Sequence, residues 1–278
     1  MPTEPNDQTQ LQTEDGSMTV FGHLSELRRR LIACVVCILV LTGASWNFAG
    51  RILDLIMQPV LNLLPSGLGL YYTGLPDAFS VTFRVSLWSG AILSSPFCLY
   101  QLWAFIAPGL LPEEKSQVPF LTLLATVLFL AGIAFAYFIA FPMTFTFFLT
   151  FSSEAMQPLL TVDRYMSLVM GIIVAFAVSF QLPLFLMFLG RLGLISPDFL
   201  RRQRPYAIVL IFIFAAVLTP PDVISQLILA SVLILLYELS IFLVKGQQKI
   251  RNEALEAEDS QPDPATEKLD APQSDDLS

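Results

Sequence analysis

The sequence predicts an all-α integral membrane protein with six transmembrane helices and with its N- and C-termini in the cytoplasm. Three observations support this fold class. Hydrophobic side chains make up 55% of the 278 residues and the mean hydropathy is +0.67, well above the composition of a soluble domain. Apolar stretches recur at lengths near the roughly 20 residues that cross a bilayer as a helix. Lysine and arginine are concentrated in the segments that would lie on one side of that bilayer.

The net charge of −8 comes from the two ends of the chain. Residues 1–20 contain four acidic and no basic side chains, and the segment after Val244 contains nine acidic and four basic ones. Both segments are too polar to bury the apolar surface that would offset the entropy of ordering. We therefore predict a disordered cytoplasmic head at 1–20, a six-helix membrane domain at 21–245 and a disordered acidic cytoplasmic tail at 246–278.

The first two spans are defined by apolar runs next to arginines. Span one is predicted at 31–50, and span two begins near Arg84 and lies in the uncharged run 85–112. Prolines in the connecting segment 51–77 predict short helices lying along the membrane surface.

The third span lies within the uncharged stretch 116–153, which is too long for one membrane crossing. Pro142 removes a backbone donor and marks the natural break, which would leave 143–151 as an interfacial or partly buried segment. Small residues recur every four positions in this stretch, so that a neighbouring helix can approach closely: Gly132, Ala136 and Ala140.

The fourth span is predicted at 165–191 and contains a polar amide, Gln181. Two residues later, the ring of Pro183 leaves the carbonyl of Ser179 without its helical partner. We expect a kink and a polar notch around Phe180. The notch would either line a membrane groove or hydrogen-bond to a neighbouring helix.

The last two spans are only just long enough, or too short, to cross the membrane. The fifth lies at 205–219 and the sixth ends near Lys245. Asp222 stands between them and is most simply the N-cap of the last span. Glu238, near the end of that span, is expected to reach the interface or to pair with Lys245.

The distribution of positive charge predicts the orientation. With six spans, twelve of the lysines and arginines lie on the side of the termini and three lie on the other. Because cytoplasmic loops carry the excess of basic residues, both termini are expected in the cytoplasm. The location predicted for the chain is the cell inner membrane, as a multi-pass protein.

The residue inventory argues against catalysis. His23 is the one histidine, and Cys34, Cys37 and Cys98 all lie in apolar runs, so no metal site is predicted. A membrane helix does not supply the electropositive setting that lowers a thiol pKa, so the spacing of the first two cysteines is read as structural. Phosphate-binding loops and hydrolase motifs are absent from the sequence. We predict no enzymatic activity, no cofactor and no nucleic-acid partner.

Three glutamates at the cytoplasmic interface are candidate ligand groups. Glu26 precedes the first span, and Glu113 and Glu114 follow Pro112 before the third. Each also has an ordinary explanation: Glu26 can pair within its helix with Arg29 or Arg30, and acids after a proline favour a helix start. Together, however, such carboxylates suit a pair of guanidinium groups, whose planar forks they can accept.

Five sequence blocks, taken together, resemble the TatC family, the receptor subunit of the twin-arginine protein translocase. The resemblance extends from Phe21 to about Val244. The blocks occur in the order and spacing of that family: His23-Leu-Ser-Glu-Leu-Arg-Arg-Arg-Leu31, Tyr100-Gln-Leu-Trp-Ala-Phe-Ile-Ala-Pro-Gly-Leu110, Phe180-Gln-Leu-Pro183, Leu218-Thr-Pro-Pro-Asp222 and Leu236-Tyr-Glu238.

The resemblance implies a function and a set of site residues. The protein would bind the twin-arginine signal peptide of folded proteins and, with single-span Tat subunits of the A and B type, support export driven by the proton-motive force. Self-association within the bilayer is also expected. The implied signal-peptide residues are Glu26, Glu114, Glu113, Arg28 and Leu27. The implied membrane groove comprises Gln181, Phe180 and Pro183, and the polar residues on the external side are Asp77 and Asp222.

In the family, some members carry Glu at the position of Gln181, and Glu is expected where Asp77 stands. The alternative hypothesis is a small-solute secondary transporter or a proton channel. It would require a relay of buried ionisable residues or two related halves, and the spans contain neither clear mid-membrane charges nor an internal repeat.

Overall fold

The residues described by the computed structural model are almost entirely helical. The described ranges are 20–64, 69–106, 118–151, 159–219 and 222–259. Within them, four helices are long and apolar enough to cross a membrane, and a bent helix pair would make a fifth. The chain divides into two compact units, one formed by Met1–Asp54 with Thr82–Leu124 and the other by Leu55–Val81 with Ala125–Ser278.

The first unit is built on two antiparallel helices, α1 (Val20–Trp46) and the larger part of α3 (Leu75–Ile106). A Cβ atom on Gly90 of α3 would lie 2.6 Å from the backbone nitrogen of Thr42 and 2.8 Å from its Cα. The two backbones therefore touch at a point where only glycine fits. α1 begins well before the predicted start at residue 31, because leucine, glutamate and arginine are strong helix formers.

α2 (Ala49–Leu63) lies in the sequence between the first two predicted spans, where short helices were predicted. It meets α1 at an 85° bend. Its buried residues Ala49, Ile56 and Val60 are spaced for one helical face.

Two tyrosine hydroxyls of the second unit donate to consecutive carbonyls of α2. Pro59 has no N–H with which to satisfy the carbonyl of Leu55, and the hydroxyl of Tyr137 donates to that carbonyl at 2.7 Å. The hydroxyl of Tyr165 donates to the carbonyl of Ile56 at 2.5 Å. These bonds hold α2 to the rest of its unit.

The third apolar stretch forms one continuous helical rod, so the break predicted at Pro142 is wrong. α4 (Val118–Phe135) passes through a π-helical turn (Ala136–Ala140) into α5 (Phe141–Leu149). The N–H of Phe141 donates to the carbonyl of Ala136, which widens the helix by one residue. Pro142 then occupies the first turn of α5, where a missing N–H costs little. The predicted interfacial segment is thus part of a 32-residue candidate span.

The small-residue stripe of this rod contacts the next helix, as predicted. α6 spans Val162–Ser179. A Cβ atom on Gly132 would lie 2.8 Å from the carbonyl oxygen of Phe176 and 3.0 Å from the Cα of Ala177. Ala136 and Ala140, one and two turns on, are fully buried.

The helix of the fourth span is interrupted just before Pro183, where the kink was predicted. α6 ends at Ser179, residues 180–181 form a turn, and α7 (Leu182–Arg191) continues the same candidate span. Pro183 lies in the first turn of α7, where its missing N–H leaves no internal bond unmade.

Of the last two predicted spans, the fifth has the predicted length and the sixth is longer than predicted. α8 (Pro197–Arg202) leads into α9 (Arg204–Leu218), whose 15 residues extend about 22 Å and fall short of a 30 Å hydrocarbon core, as expected. α10 (Val223–Asp259) is not short: its apolar part, Val223–Gln248, has 26 residues. The helix also passes the boundary at 246 where disorder was predicted, because the lysine, glutamate, alanine and leucine residues that follow favour helix. Residues 260–278 lie outside the described part of the chain.

Candidate functional site

The first unit contains a polar cluster around Glu26. Its Oε1 accepts hydrogen bonds from Arg30, at 2.9 Å from Nε and 2.6 Å from Nη2. The third guanidinium nitrogen, Nη1, donates at 2.9 Å to Oε1 of Gln101 on α3. Nearby on the same two helices, the ring of His23 stacks on that of Phe105 with centroids 4.2 Å apart. The cluster therefore joins the start of α1 to the end of α3.

The two carboxylate oxygens of Glu26 differ in their surroundings. The side chains of Glu26 and Arg30 are only 13% and 20% exposed. Arg30 bonds to Oε1, whereas Oε2 is buried and has no hydrogen-bond partner among the described residues. A buried anionic oxygen without a donor is costly. The arrangement leaves one acceptor for an additional donor, which is what binding a cation requires.

The other residues assigned to signal-peptide binding are placed differently. Leu27 and Arg28 lie on α1 beside Glu26, and both are exposed. Glu113 and Glu114 lie outside the described residues. The structure thus places three of the five predicted residues on one turn of α1.

Gln181 forms a hydrogen bond to a neighbouring helix, which is one of the two roles predicted for it from the sequence. Its Nε2 donates at 2.9 Å to the carbonyl of Ala125 on α4. The ring of Phe180 lies 5.8 Å from that of Phe135, and Pro183 is buried. These three residues surround the break between α6 and α7.

The two aspartates predicted on the external side both act at helix starts. Oδ2 of Asp77 accepts from the backbone N–H groups of Thr73 and Gly74, each at 2.9 Å, as the acidic residue of a capping box does. Oδ1 of Asp222 accepts from the N–H of Ser225 at 2.6 Å. The prediction that Asp222 is the N-cap of the last helix is confirmed.

Sequence reasoning missed two features of the site and one ion pair. Gln101, within one of the sequence blocks, was not identified as the partner of Arg30, because residues 71 positions apart meet only in the tertiary structure. Tyr137 was also missed, although the carbonyl orphaned by a helical proline was a usable signal. Glu238 pairs with Arg204 at 2.6 Å, whereas the sequence predicted that it either reaches the interface or pairs with Lys245.

Potential metal-ligating side chains are not clustered within the described ranges. No group of three or more His, Cys, Asp or Glu side chains in them could hold a metal ion. The thiol of Cys98 is 3.8 Å from the hydroxyl of Ser94, one turn earlier on the same helix.

Comparison with known proteins identifies the family. A family model described as Sec-independent protein translocase protein (TatC) matches residues 22–231. Proteins of that same description are similar over most of the chain. The one from Carboxydothermus hydrogenoformans is 38% identical over 84% of this chain and 95% of its own length. The one from Escherichia coli K12 is 37% identical over 82% of this chain and 88% of its own length.

Solved structures agree with the sequence match. A crystal structure described as twin arginine translocase receptor TatC superposes with a TM-score of 0.72 at 38% identity, and the match covers 80% of this chain and 98% of the other. A second crystal structure of the receptor, in the detergent DDM, gives 0.70 at 37% identity. This is a family of membrane protein-transport components, not of enzymes. With its sequence and its helical fold both matching, the chain belongs to the TatC family of Sec-independent protein translocase proteins.

Proposed function

We propose that this protein binds the twin-arginine signal peptides of folded proteins and, with single-span Tat subunits of the A and B type, supports their export driven by the proton-motive force. The observation that carries the proposal is the buried Oε2 atom of Glu26, which has no donor among the described residues. The solved relatives are described as twin arginine translocase receptors.

A guanidinium group matches the vacant acceptor of Glu26. Arg30 already saturates Oε1 and is anchored by Gln101, so the carboxylate cannot turn without breaking these bonds. A hydrogen bond between charged groups is worth about 1.5–3 kcal/mol when the site is dry. Arginine can direct two parallel N–H groups at a carboxylate and its neighbours, whereas lysine presents a point charge.

The remaining predicted residues extend the proposed site. Glu113 and Glu114 would supply the negative charge needed for a second arginine, since Arg28 and Arg30 bring positive charge to the same end of α1. Leu27, which is exposed, would contact the apolar part of the signal peptide.

The test compares a signal peptide that carries Arg-Arg with the same peptide carrying Lys-Lys, bound to the purified chain. Glu26→Gln keeps the volume of the side chain but presents a donor where the guanidinium also donates. We expect it to weaken Arg-Arg binding by tenfold or more and to leave the weaker Lys-Lys binding nearly unchanged. Glu114→Ala should act in the same direction.

Glu238→Gln is the matched control, because Glu238 also accepts a 2.6 Å bond from an arginine but is 45% exposed and lies in the second unit. It should bind both peptides like the unaltered chain. Equal binding of the two peptides by the unaltered chain would overturn the proposal, and so would an unchanged preference in Glu26→Gln.

The proposed topology has six spans, with both termini in the cytoplasm of a cell whose inner membrane holds the protein. Three features support it: the apolar arm Gly22–Trp46 of the bent pair is long enough to cross, the short helix α9 adds a sixth apolar segment, and the positive charges favour one side. On this topology the capping aspartates Asp77 and Asp222 face the external side. The break at Gln181, Phe180 and Pro183 lies within the membrane and would form a groove for a partner helix or for a second copy of the chain.

A further inference from the structure

A basic cleft of about 410 Å³ lies in the second unit between α8, α9 and α10. Its lining combines three cations, one carboxylate and two apolar side chains: Arg201, Arg204, Lys245, Glu238, Ile241 and Phe242. Neither the proposed receptor function nor the capping roles above involve this cleft.

The cleft has a net positive charge. Glu238 accepts from Nη2 of Arg204 at 2.6 Å, which neutralises one of the three cations. Arg201 and Lys245 are exposed, and the lining contains no second carboxylate. Two positive charges therefore face the cleft, together with the guanidinium N–H groups of Arg204 that do not point at Glu238.

The basic residues of the cleft lie on helices that are fixed against each other. The hydroxyl of Tyr237 is buried and donates at 2.8 Å to the carbonyl of Leu200, which fixes α8 against α10. Arg201 is the next residue along α8, and Glu238 follows Tyr237 on α10. Little backbone freedom is then lost when an anion binds.

The cleft lies where apolar helix gives way to polar chain. Arg204 is the first residue of α9, and Lys245 comes near the end of the apolar part of α10, Val223–Gln248. On that border Ile241 is buried while the Phe242 ring is 73% exposed. In a chain that spans the bilayer, such a site is at the level of the lipid headgroups, beside the acyl chains.

We propose that this cleft binds the phosphate of an anionic phospholipid headgroup, with Arg201 and Lys245 contacting the phosphate oxygens and Phe242 lying against an acyl chain. Basic clefts between membrane helices on the cytoplasmic side suit anionic headgroups. The inference uses the orientation proposed above but not signal-peptide binding, so each can fail without the other. A zwitterionic lipid gains less, because its cationic group is repelled by the same bases.

The test uses the full chain in detergent after removal of bound lipid. Phosphatidylglycerol, phosphatidylcholine and inorganic phosphate are titrated separately, and bound molecules are counted by native mass spectrometry. Since one base near an anionic surface changes binding about fivefold, we expect Arg201→Gln with Lys245→Gln to weaken phosphatidylglycerol binding about 25-fold. Arg202→Gln is the matched control: it removes an exposed arginine from the same helix that does not line the cleft.

A variant of opposite sign separates charge from general loss of structure. Glu238→Gln removes the one carboxylate of the lining and frees Arg204, so phosphatidylglycerol should bind about fivefold more tightly. Equal loss in the Arg202→Gln control, or equal binding of phosphatidylcholine, would overturn the proposal. If inorganic phosphate alone occupies the site as tightly as the lipid, the ligand is a phosphate ion from solution and the lipid assignment fails.

Discussion

Replacement of Gly132 by alanine should destabilise the second unit. The new Cβ would lie 2.8 Å from the carbonyl oxygen of Phe176 and 3.0 Å from the Cα of Ala177. These are backbone atoms of α6, so no side chain can rotate away and the two helices must separate. Forcing a methyl group into such a contact costs about 1–3 kcal/mol, whereas alanine in place of a helical glycine gains about 0.5–1 kcal/mol.

Gly171 supplies the matched control for this substitution. It lies in the middle of α6 with nothing within 4 Å of the position its Cβ would occupy. Gly171→Ala should therefore gain the stability that alanine gives a helix, without any steric clash. The difference in unfolding free energy between Gly132→Ala and Gly171→Ala isolates the clash and should be about 1–3 kcal/mol.

The measurement is the apparent melting temperature of each purified variant in one detergent at one heating rate. For a chain of this size, about 2–4 °C per kcal/mol places Gly132→Ala roughly 2–12 °C below Gly171→Ala. The reasoning is refuted if Gly132→Ala melts at the same temperature as Gly171→Ala or above it.

Two further substitutions test the hydrogen bonds that satisfy backbone groups. Tyr137→Phe removes the hydroxyl that donates to the carbonyl of Leu55 and should cost about 1–3 kcal/mol. In a Pro59→Ala background the restored N–H serves that carbonyl, so the same change should cost clearly less in a thermal-melt double-mutant cycle; an equal cost in both backgrounds would contradict the role given to Pro59. Asp222→Ala should lower stability by about 0.5–2 kcal/mol through loss of the bond to Ser225, while Asp222→Asn, which also caps, should lose only a few tenths. Equal melting losses in the two variants would show that the charge of Asp222, and not its capping bond, is what matters.

Proline rules predicted part of the fold because they rest on one missing N–H. The break before Pro183 occurs where the rule places it. Pro142 also lacks an N–H, but a π-helical turn lies just before it and the helix continues without a break. No pattern in the sequence indicates that turn. The sequence therefore locates the carbonyl that a proline leaves without a hydrogen bond. The surrounding structure determines whether the helix is interrupted, widens into a π-turn, or receives a hydrogen bond from another side chain.

The end of the last helix shows a second limit. Hydropathy falls after Lys245, so the sequence predicts both the end of the span and the start of disorder there. α10 nevertheless continues to Asp259. The polar residues after Lys245 make the helix prefer water to lipid, but they do not prevent the helix from forming. Pairing across the tertiary structure is a third limit: the helical spacing of Glu26 and Arg30 predicted their bond, whereas Gln101 is reached only through the packing of α1 on α3.

The polar atoms left without partners in the described residues are not equivalent. The hydroxyls of Thr42, Ser45 and Ser95 are unpaired, but a hydroxyl in a helix can rotate towards a carbonyl of the preceding turn at little cost. Oδ2 of Asp222 is also unpaired, but it lies at a helix start, where the dipole favours negative charge. Oε2 of Glu26 can neither rotate towards a carbonyl nor lie at a helix start. Arg30 donates to the other oxygen, Oε1. A buried ion pair contributes little net stability, and the ligand proposed above would supply the donor that Oε2 of Glu26 lacks.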